Sequence, residues 1–313
     1  MRAERVLVTG ITGFIGSAVS NHLHSRGFDV YGTVRPGRDL SGSCVSSDRI
    51  FRYDLSDNPH ACLPSGTVDV IIHCAAATSE RAIDAGASRA ANIDGTSNLL
   101  DWAKKVGISR FIYLSTMSAH GENPSNYAQT KLEAEEVVRA SGIGEWVILR
   151  PGLVLASASR GIFNKMARQI RVLPFVPTLG RNRCLCTIAM EDLCMAIERA
   201  IVVREARAKE IDVCADENLS FGDLARLVAG ALGKHPVLIP IPLGVALFVA
   251  RLSSALGHPV LTEDNVLGIK HARAPDTRLL REVLGIQPRR VEESLRLLSP
   301  GAGMGKNRGG ISR

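Results

Sequence analysis

"RVLVTGITGFIGSAV", Arg5–Val19, decides the fold. A short apolar run ends at Gly10, glycine returns at Gly13 and Gly16, and a helical pattern follows through about Arg26. Each glycine of this G-x-x-G-x-x-G spacing has a separate use. The first permits a sharp turn, the second lets the backbone approach a pyrophosphate, and the third lets helix and strand pack closely. Phosphates would rest on the helix N-terminus, where unpaired N–H groups and the helix dipole favour negative charge. The plainer alternative is a merely flexible turn. The strand before it, the helix after it and the alternating chain beyond favour a dinucleotide site.

That alternation continues outward. "FDVYGTV" (28–34), "RIFRYDL" (49–55), "VDVIIHCAA" (68–76), "RFIYLST" (110–116) and "EWVILRPG" (145–152) read as strands. Helical patterns separate several of them, including "ASRAANIDGTSNLLDWAKKVG" and the segment that opens at "SNYAQTKLEAE". Strand 68–76 is apolar throughout, as expected where helices cover both sheet faces. The pattern predicts an α/β chain: a Rossmann-type doubly wound parallel sheet with a smaller C-terminal substrate-binding region. The expected division is 1–155 for the dinucleotide-binding domain and 156–299 mainly for substrate, with elements returning to the sheet. Residues 191–203 and 220–233 read as helices, and the apolar run 237–250 as the start of a helix over the substrate cleft. The final "PGAGMGKNRGGISR" (300–313) lacks apolar periodicity and reads as a flexible tail.

The end of the second strand selects the dinucleotide. An acidic residue there would hold ribose hydroxyls, whereas an arginine would hold a 2′-phosphate. The chain has Val34 and Arg35, with Arg38 close behind, which favours NADP(H) over NAD(H). Asp39 or a rotated loop would still serve NAD. Asp54 is placed to meet an adenine amino group or, equally, to cap a helix.

Bulk properties narrow the classes. At 313 residues, roughly three quarters of the unfolded surface can be buried. No signal peptide is evident, and the apolar run 237–250 is too short and too interrupted by proline to span a bilayer. Seven cysteines without C-x-x-C spacing suit a reducing, cytoplasmic compartment. The formal charge of +7 comes with only 4% aromatic residues and no zinc-finger pattern, which argues against nucleic acid. No acidic residue lies between Glu145 and Glu191, yet Arg150, Arg160, Lys165, Arg168, Arg171, Arg181 and Arg183 do. That segment is built to face an anion or is a solvated basic face. The eight histidines show no metal-ligand spacing, and His73, inside an apolar strand, reads as a satisfied sheet residue. His120 is a candidate for the substrate cleft.

Tyr127 stands four residues before Lys131, so the two share a helix face, and a cation there would favour the phenolate. Alone the spacing is common. "TGITGFIG", "DL" at 54–55, "CAA" at 74–76, "NIDGTSNLL", "LSTMSAHG", "YAQTK" and "LRPG" together, in this order, resemble extended short-chain dehydrogenases/reductases, and within them the NAD-dependent epimerase/dehydratase family. The resemblance covers about residues 4–205. It implies Tyr127 as general acid/base, Lys131 as its activator and ribose ligand, and Thr116 as the hydroxyl that orients the substrate oxygen, with Ser115 or Ser118 as lesser candidates. Cofactor contacts would come from Gly10, Gly13, Phe14, Ile15, Gly16, Arg35, Asp54, Leu55, Ala75, Ala76, Lys131 and Pro151.

The implied reaction is hydride transfer at a hydroxyl or ketone of an anionic, nucleotide-linked sugar, by 4-keto reduction or 4-epimerisation. Pairing of two copies through helices near 88–105 and 126–141 is a further family-level expectation. Departures bear on the substrate. The ten-residue loop "MSAHGENPSN" is short, and "LRPGLVLASASRG" lacks the usual continuation. The diphosphate-gripping arginine has no clean counterpart, Arg183 and Arg181 being near but out of register. An NADPH-dependent reductase of a less polar ketone is therefore the second reading, and a catalytically silent NADPH-binding assembly or sensor protein the third.

Overall fold

Apolar runs with both faces covered become the centre of one parallel sheet. The computed structural model describes residues 4–40, 43–64, 66, 68–78, 85–156, 162–179, 185–255 and 262–298. Chain order begins β1 (Arg5–Thr9), α1 (Phe14–Ser25), β2 (Asp29–Val34), β3 (Ile50–Arg52), α2 (Pro59–Cys62), β4 (Val70–His73) and α3 (Ala85–Arg89). It continues with α4 (Gly95–Lys105), β5 (Arg110–Leu114), α5 (Asn126–Ala140), β6 (Glu145–Pro151), β7 (Leu153–Leu155), α6 (Ile162–Val172), β8 (Phe175–Leu179) and β9 (Thr187–Ala189). The remaining elements are α7 (Met190–Val202), β10 (Lys209–Val213), α8 (Phe221–Ala231), β11 (Val237–Ile241), α9 (Leu243–Ala255), α10 (Glu263–Lys270), α11 (Arg278–Glu282) and α12 (Val291–Leu298).

The main sheet runs β10-β6-β5-β4-β1-β2-β3, parallel throughout. Alternate residues of each strand feed two cores, as a side-chain period of two requires. On one face Val6, Val8, Ile72, Ile112 and Leu149 pack with Val19 and Leu23 of α1, and with Leu193 and Ile197 of α7. On the other, Leu7, Ile71, Phe111 and Ile148 pack with Leu99 and Trp102 of α4 and Val138 of α5. A third core joins α6, α8, α9, α10 and α12 around Met166, Leu224, Ala250, Val266 and Leu295. The strand order turns back beside β1, so loops at the carboxyl ends of β1 and β4 diverge and leave a crevice between them.

Three expectations differ from what is seen. The run 237–250 splits: Val237–Ile241 pairs in parallel with β8, and helix begins only at Leu243. Pro240 and Pro242 bar an earlier helix, and an edge strand tolerates the missing N–H. The helix expected near residue 90 is interrupted by a wide π-type turn at Ala90–Asp94, which separates α3 from α4. The third strand is cut to Ile50–Arg52, because Asp54 starts a turn whose carboxylate accepts from the Ser56 N–H and hydroxyl. Beyond β6, the sixth strand of the main sheet, the chain comes back to it as β10 beside β6. The tail 300–313 lies outside the described residues.

Candidate active site

Gly10 leaves β1 with φ +70°, and a Cβ there would press on Ala75 at 3.2 Å. A Cβ on Gly16 would stand 2.2 Å from the Gly10 carbonyl oxygen, so α1 meets the turn with no room for a side chain. The cradle therefore fits a dinucleotide: a helix N-terminus beginning at Phe14 lies behind a turn that carries no side chain at Gly10, Gly13 or Gly16. Gly16→Ala is expected to destabilise the fold by roughly 1–3 kcal/mol, because overpacking against backbone outweighs the gain in helix propensity, about 1 kcal/mol. Thermal unfolding together with dinucleotide titration by fluorescence checks this, and both should worsen.

Buried hydrogen bonds fix the Gly10–Ala75 approach. The Ala75 N–H donates to Thr9 Oγ1 at 3.0 Å, and Thr9 Oγ1 lies 2.8 Å from His73 Nδ1. His73 Nε2 is 3.1 Å from Thr96 Oγ1, which donates to the Asn92 carbonyl at 2.6 Å. Only one assignment satisfies the chain: His73 is neutral with its proton on Nε2. Burial, aided by the charge of Lys131, pushes His73 down to about 3, in keeping with that neutrality. Asn92 itself clamps Ala77, accepting from its N–H at 2.7 Å and donating to its carbonyl at 3.0 Å. Its amide also donates to Thr130 of α5 at 3.1 Å.

The α5 helix presents Tyr127 and Lys131. Ser125 caps it by accepting from the Ala128 N–H at 3.3 Å, and Asn123, fully buried, closes the short loop by donating to the Ser118 carbonyl at 3.1 Å. A second anchor comes from α10: the Asp264 carboxylate accepts from the backbone N–H groups of Asn126 and Tyr127. Burial raises Asp264, and these bonds oppose the rise. The Lys131 Nζ donates to the Leu114 carbonyl at 2.6 Å and lies 4.0 Å from the Tyr113 ring centroid. Burial pulls Lys131 down to about 7. Tyr127 moves the opposite way from the sequence expectation: burial first, then the Asp264 charge, push it up to about 12. Lys131 turns one of its three donors to backbone, and within the chain itself the desolvation of the phenol wins.

A cleft of about 1390 Å³ gathers these groups. Its walls include Thr116, Tyr127 and Lys131, and with them Gly10, Gly13, Phe14, Ile15, Gly16, Arg35, Asp54, Leu55, Ala75, Ala76 and Pro151. Ser115, Thr116 and Ser118 all line it, but the Ser115 hydroxyl is engaged, donating to Glu135 Oε1 at 2.6 Å. His120 is not among the lining residues. Its Nε2 lies 2.8 Å from the His271 carbonyl and ties the loop to the C-terminal region. Arg183 and Arg181, expected near a substrate anion, lie outside the described residues, as does Arg160.

The basic segment divides. Arg150 pairs with the fully buried Glu135 (Nε to Oε1, 2.8 Å) and with Glu210 (2.6 Å), bracing β6, α5 and β10 rather than meeting a ligand. Lys165, Arg168 and Arg171 are exposed on α6. Residues that the sequence reading missed (Asn92, Asp264, Arg273) come from loops and helices distant in sequence. Arg273 lines the cleft, but its guanidinium is paired with Asp212 at 2.8 Å. From Leu153 onward the wall is mainly apolar, with Leu153, Val154, Phe163, Leu185, Phe221 and Ile269, and carries Asp264 and Asn265 beside Arg273. Among the described residues there is no cluster of potential metal ligands.

Known proteins are similar to this chain in sequence and in fold. UDP-glucose 4-epimerase of Vibrio cholerae is 26% identical over 269 residues, covering 77% of this chain and 79% of that protein. Ceramide reductase of Caulobacter vibrioides is 27% identical over 248 residues, 76% of this chain and 73% of its own length. An uncharacterized protein of Mycobacterium tuberculosis is 27% identical over 289 residues, and the chain spans only about 28% of that protein's length. Among solved structures, MoeE5 in complex with UDP-glucose and NAD has the same fold, with TM-score 0.71 at 22% identity and coverage of 93% of this chain and 96% of that one. Residues 6–172 match the NAD dependent epimerase/dehydratase family, more than half of the sequence, and the chain belongs to that family.

Proposed function

We propose that this protein is an NAD(P)-dependent oxidoreductase that interconverts a ketone and a secondary alcohol on a substrate whose body beyond the reacting carbon is largely apolar. The observation that carries this is the composition of the cleft wall from Leu153 onward, where Leu153, Val154, Phe163, Leu185, Phe221 and Ile269 outnumber the polar Asp264, Asn265 and Arg273. The cation this region contributes there among the described residues, Arg273, is neutralised by Asp212. An apolar wall with few polar anchors suits a hydrophobic substrate. Ceramide reductase, and a farnesyl-dihydroquinoline ketoreductase of Stigmatella aurantiaca at 24% identity over 306 residues (90% of this chain, 86% of its own), support the reading.

Tyr127 acts as proton donor to the carbonyl oxygen. The Thr116 hydroxyl, whose oxygen accepts from the Ser118 N–H at 3.2 Å, keeps its proton for that same oxygen. Lys131, held by the Leu114 carbonyl, orients the ribose and sets the local charge. A dinucleotide bound along Gly10–Gly16 supplies or accepts the hydride. Arg35 and Arg38, exposed at the cleft rim, would hold a 2′-phosphate, so NADP(H) is the proposed cofactor.

A second reading is 4-keto reduction or 4-epimerisation of a nucleotide-linked sugar, favoured by the similarity to UDP-glucose 4-epimerase. Absorbance of the reduced nicotinamide separates the two. Oxidation of NADPH with long-chain ketones but not with UDP-4-keto sugars is expected; the reverse preference overturns the apolar reading. In the same assay Arg35→Ala is expected to raise the KM for NADPH roughly tenfold and leave that for NADH nearly unchanged, since a charge-assisted hydrogen bond contributes about 1.5–3 kcal/mol.

A further inference from the structure

The β8–β11 ribbon carries an apolar tip that no part of the cleft uses. Its strands run parallel with Val237 opposite Phe175, and the Val237 N–H donates to the Pro174 carbonyl at 2.8 Å, so their first residues lie side by side. Val172 is 75% exposed, Phe175 49% and Val237 66%, with Leu173 between the first two. Such large side chains grouped at one tip are unusual on a surface that meets only water.

Basic side chains flank the group along the chain. Arg168 and Arg171 precede it on α6, and Lys234 and His235 enter β11; all four are exposed. Residues 146–190 and 224–262, which build this ribbon and its neighbouring helices, contain no aspartate or glutamate. Directly after β11, α9 buries Ala246 and Ala250 and turns Val245, Phe248, Val249 and Leu252 outward, an apolar stripe at helical spacing. Arg251 beside that stripe is held by Glu263 at 2.6 Å.

We infer that this face docks reversibly on an anionic lipid bilayer, the apolar tip entering the headgroup boundary and Arg168, Arg171 and Lys234 meeting lipid phosphates. An apolar insertion flanked by arginine and lysine is the arrangement that binds such surfaces. No described helix is long and apolar enough to cross a membrane, so the contact is peripheral. A protein partner with an apolar groove would be matched by the tip, but not by two acid-free segments that present cations alone. The docking stands whichever ketone the cleft accepts.

The full-length protein is to be sedimented with vesicles of phosphatidylcholine alone and of phosphatidylcholine mixed with phosphatidylglycerol, at low and at physiological ionic strength. Binding to the mixed vesicles only, weakened by salt, is expected. Arg168→Glu with Arg171→Glu should lower the partition at least tenfold, since each cation near the surface is worth about fivefold. Phe175→Asp should lower it as far, with circular dichroism and NADPH binding unchanged. The inference fails if mixed vesicles are not bound at low salt, if neutral vesicles are bound equally, or if both variants bind like the parent. It also fails if light scattering shows that Phe175→Asp splits a dimer while vesicles go unbound, since a second copy would then cover the tip.

Discussion

Tyr127→Phe is expected to lower turnover roughly 10²- to 10⁴-fold, the usual contribution of a positioned acid or base, while leaving NADPH affinity and unfolding temperature close to the parent's. The substitution removes one oxygen and keeps the ring that lines the cleft. The pH dependence gives a sharper test. Burial and Asp264 hold the phenol up to about 12, so it stays protonated throughout the neutral range. A neutral phenol is ready to donate, and reduction forms no positive ring until hydride has left. Titration of the phenol should therefore leave reductive turnover unchanged between pH 6 and 9, where an inflection belongs to Lys131 near 7, whereas alcohol oxidation, which needs the phenolate, should rise about tenfold per pH unit above it. Asp264→Asn removes a repelling charge while keeping an acceptor for the Tyr127 N–H, and should carry the oxidative profile to lower pH. If the phenylalanine variant turns over like the parent, Tyr127 is not the acid.

What the sequence discloses and what it conceals follow from distance along the chain. Gly10, Gly13 and Gly16 fulfil their roles within one turn, and the close approach of Gly16 to the Gly10 carbonyl is a contact six residues long. Likewise Ser125, Tyr127 and Lys131 lie within two turns of one helix. Such features are written locally. Asp264 reaches the same helix from α10, and Arg150 is taken from the cleft by Glu135 and Glu210 on separate elements. Neither pairing leaves a periodic mark. The 237–250 run misleads for another reason: continuous apolar residues carry no period, so strand and helix look alike until Pro240 and Pro242 are weighed. The burial of Tyr127 is hidden for a third reason. Spacing shows that Lys131 is near, but not that its Nζ turns to the Leu114 carbonyl or that desolvation outweighs its charge at the phenol.

Lys131→Met should abolish turnover and, at neutral pH, make the protein more stable. Burial carries the Lys131 ammonium from an ordinary 10.5 to about 7. A base whose folded value is depressed binds fewer protons in the native state than unfolded, so stability rises with pH between the two values. The penalty is complete below pH 7, shrinks as pH rises, and vanishes above about 10.5. Three and a half units correspond to roughly 5 kcal/mol at pH 7. Methionine removes that penalty but strands the Leu114 carbonyl, at about 1–3 kcal/mol, and loses the contact with the Tyr113 ring, at about 0.5–2 kcal/mol. The net gain near pH 7 is a few kcal/mol at most, visible as a Tm several degrees higher. At pH 10 and above the order should invert, because the parent no longer bears the penalty while the variant still lacks the hydrogen bond. Thermal melts of both proteins across this range should therefore cross between pH 7 and 10.5. Parallel curves would mean that Lys131 keeps its charge at little cost, through a partner stronger than a carbonyl and an aromatic face. The cleft would then be wetter than its burial implies, and the raised Tyr127 phenol would lose its physical basis along with it.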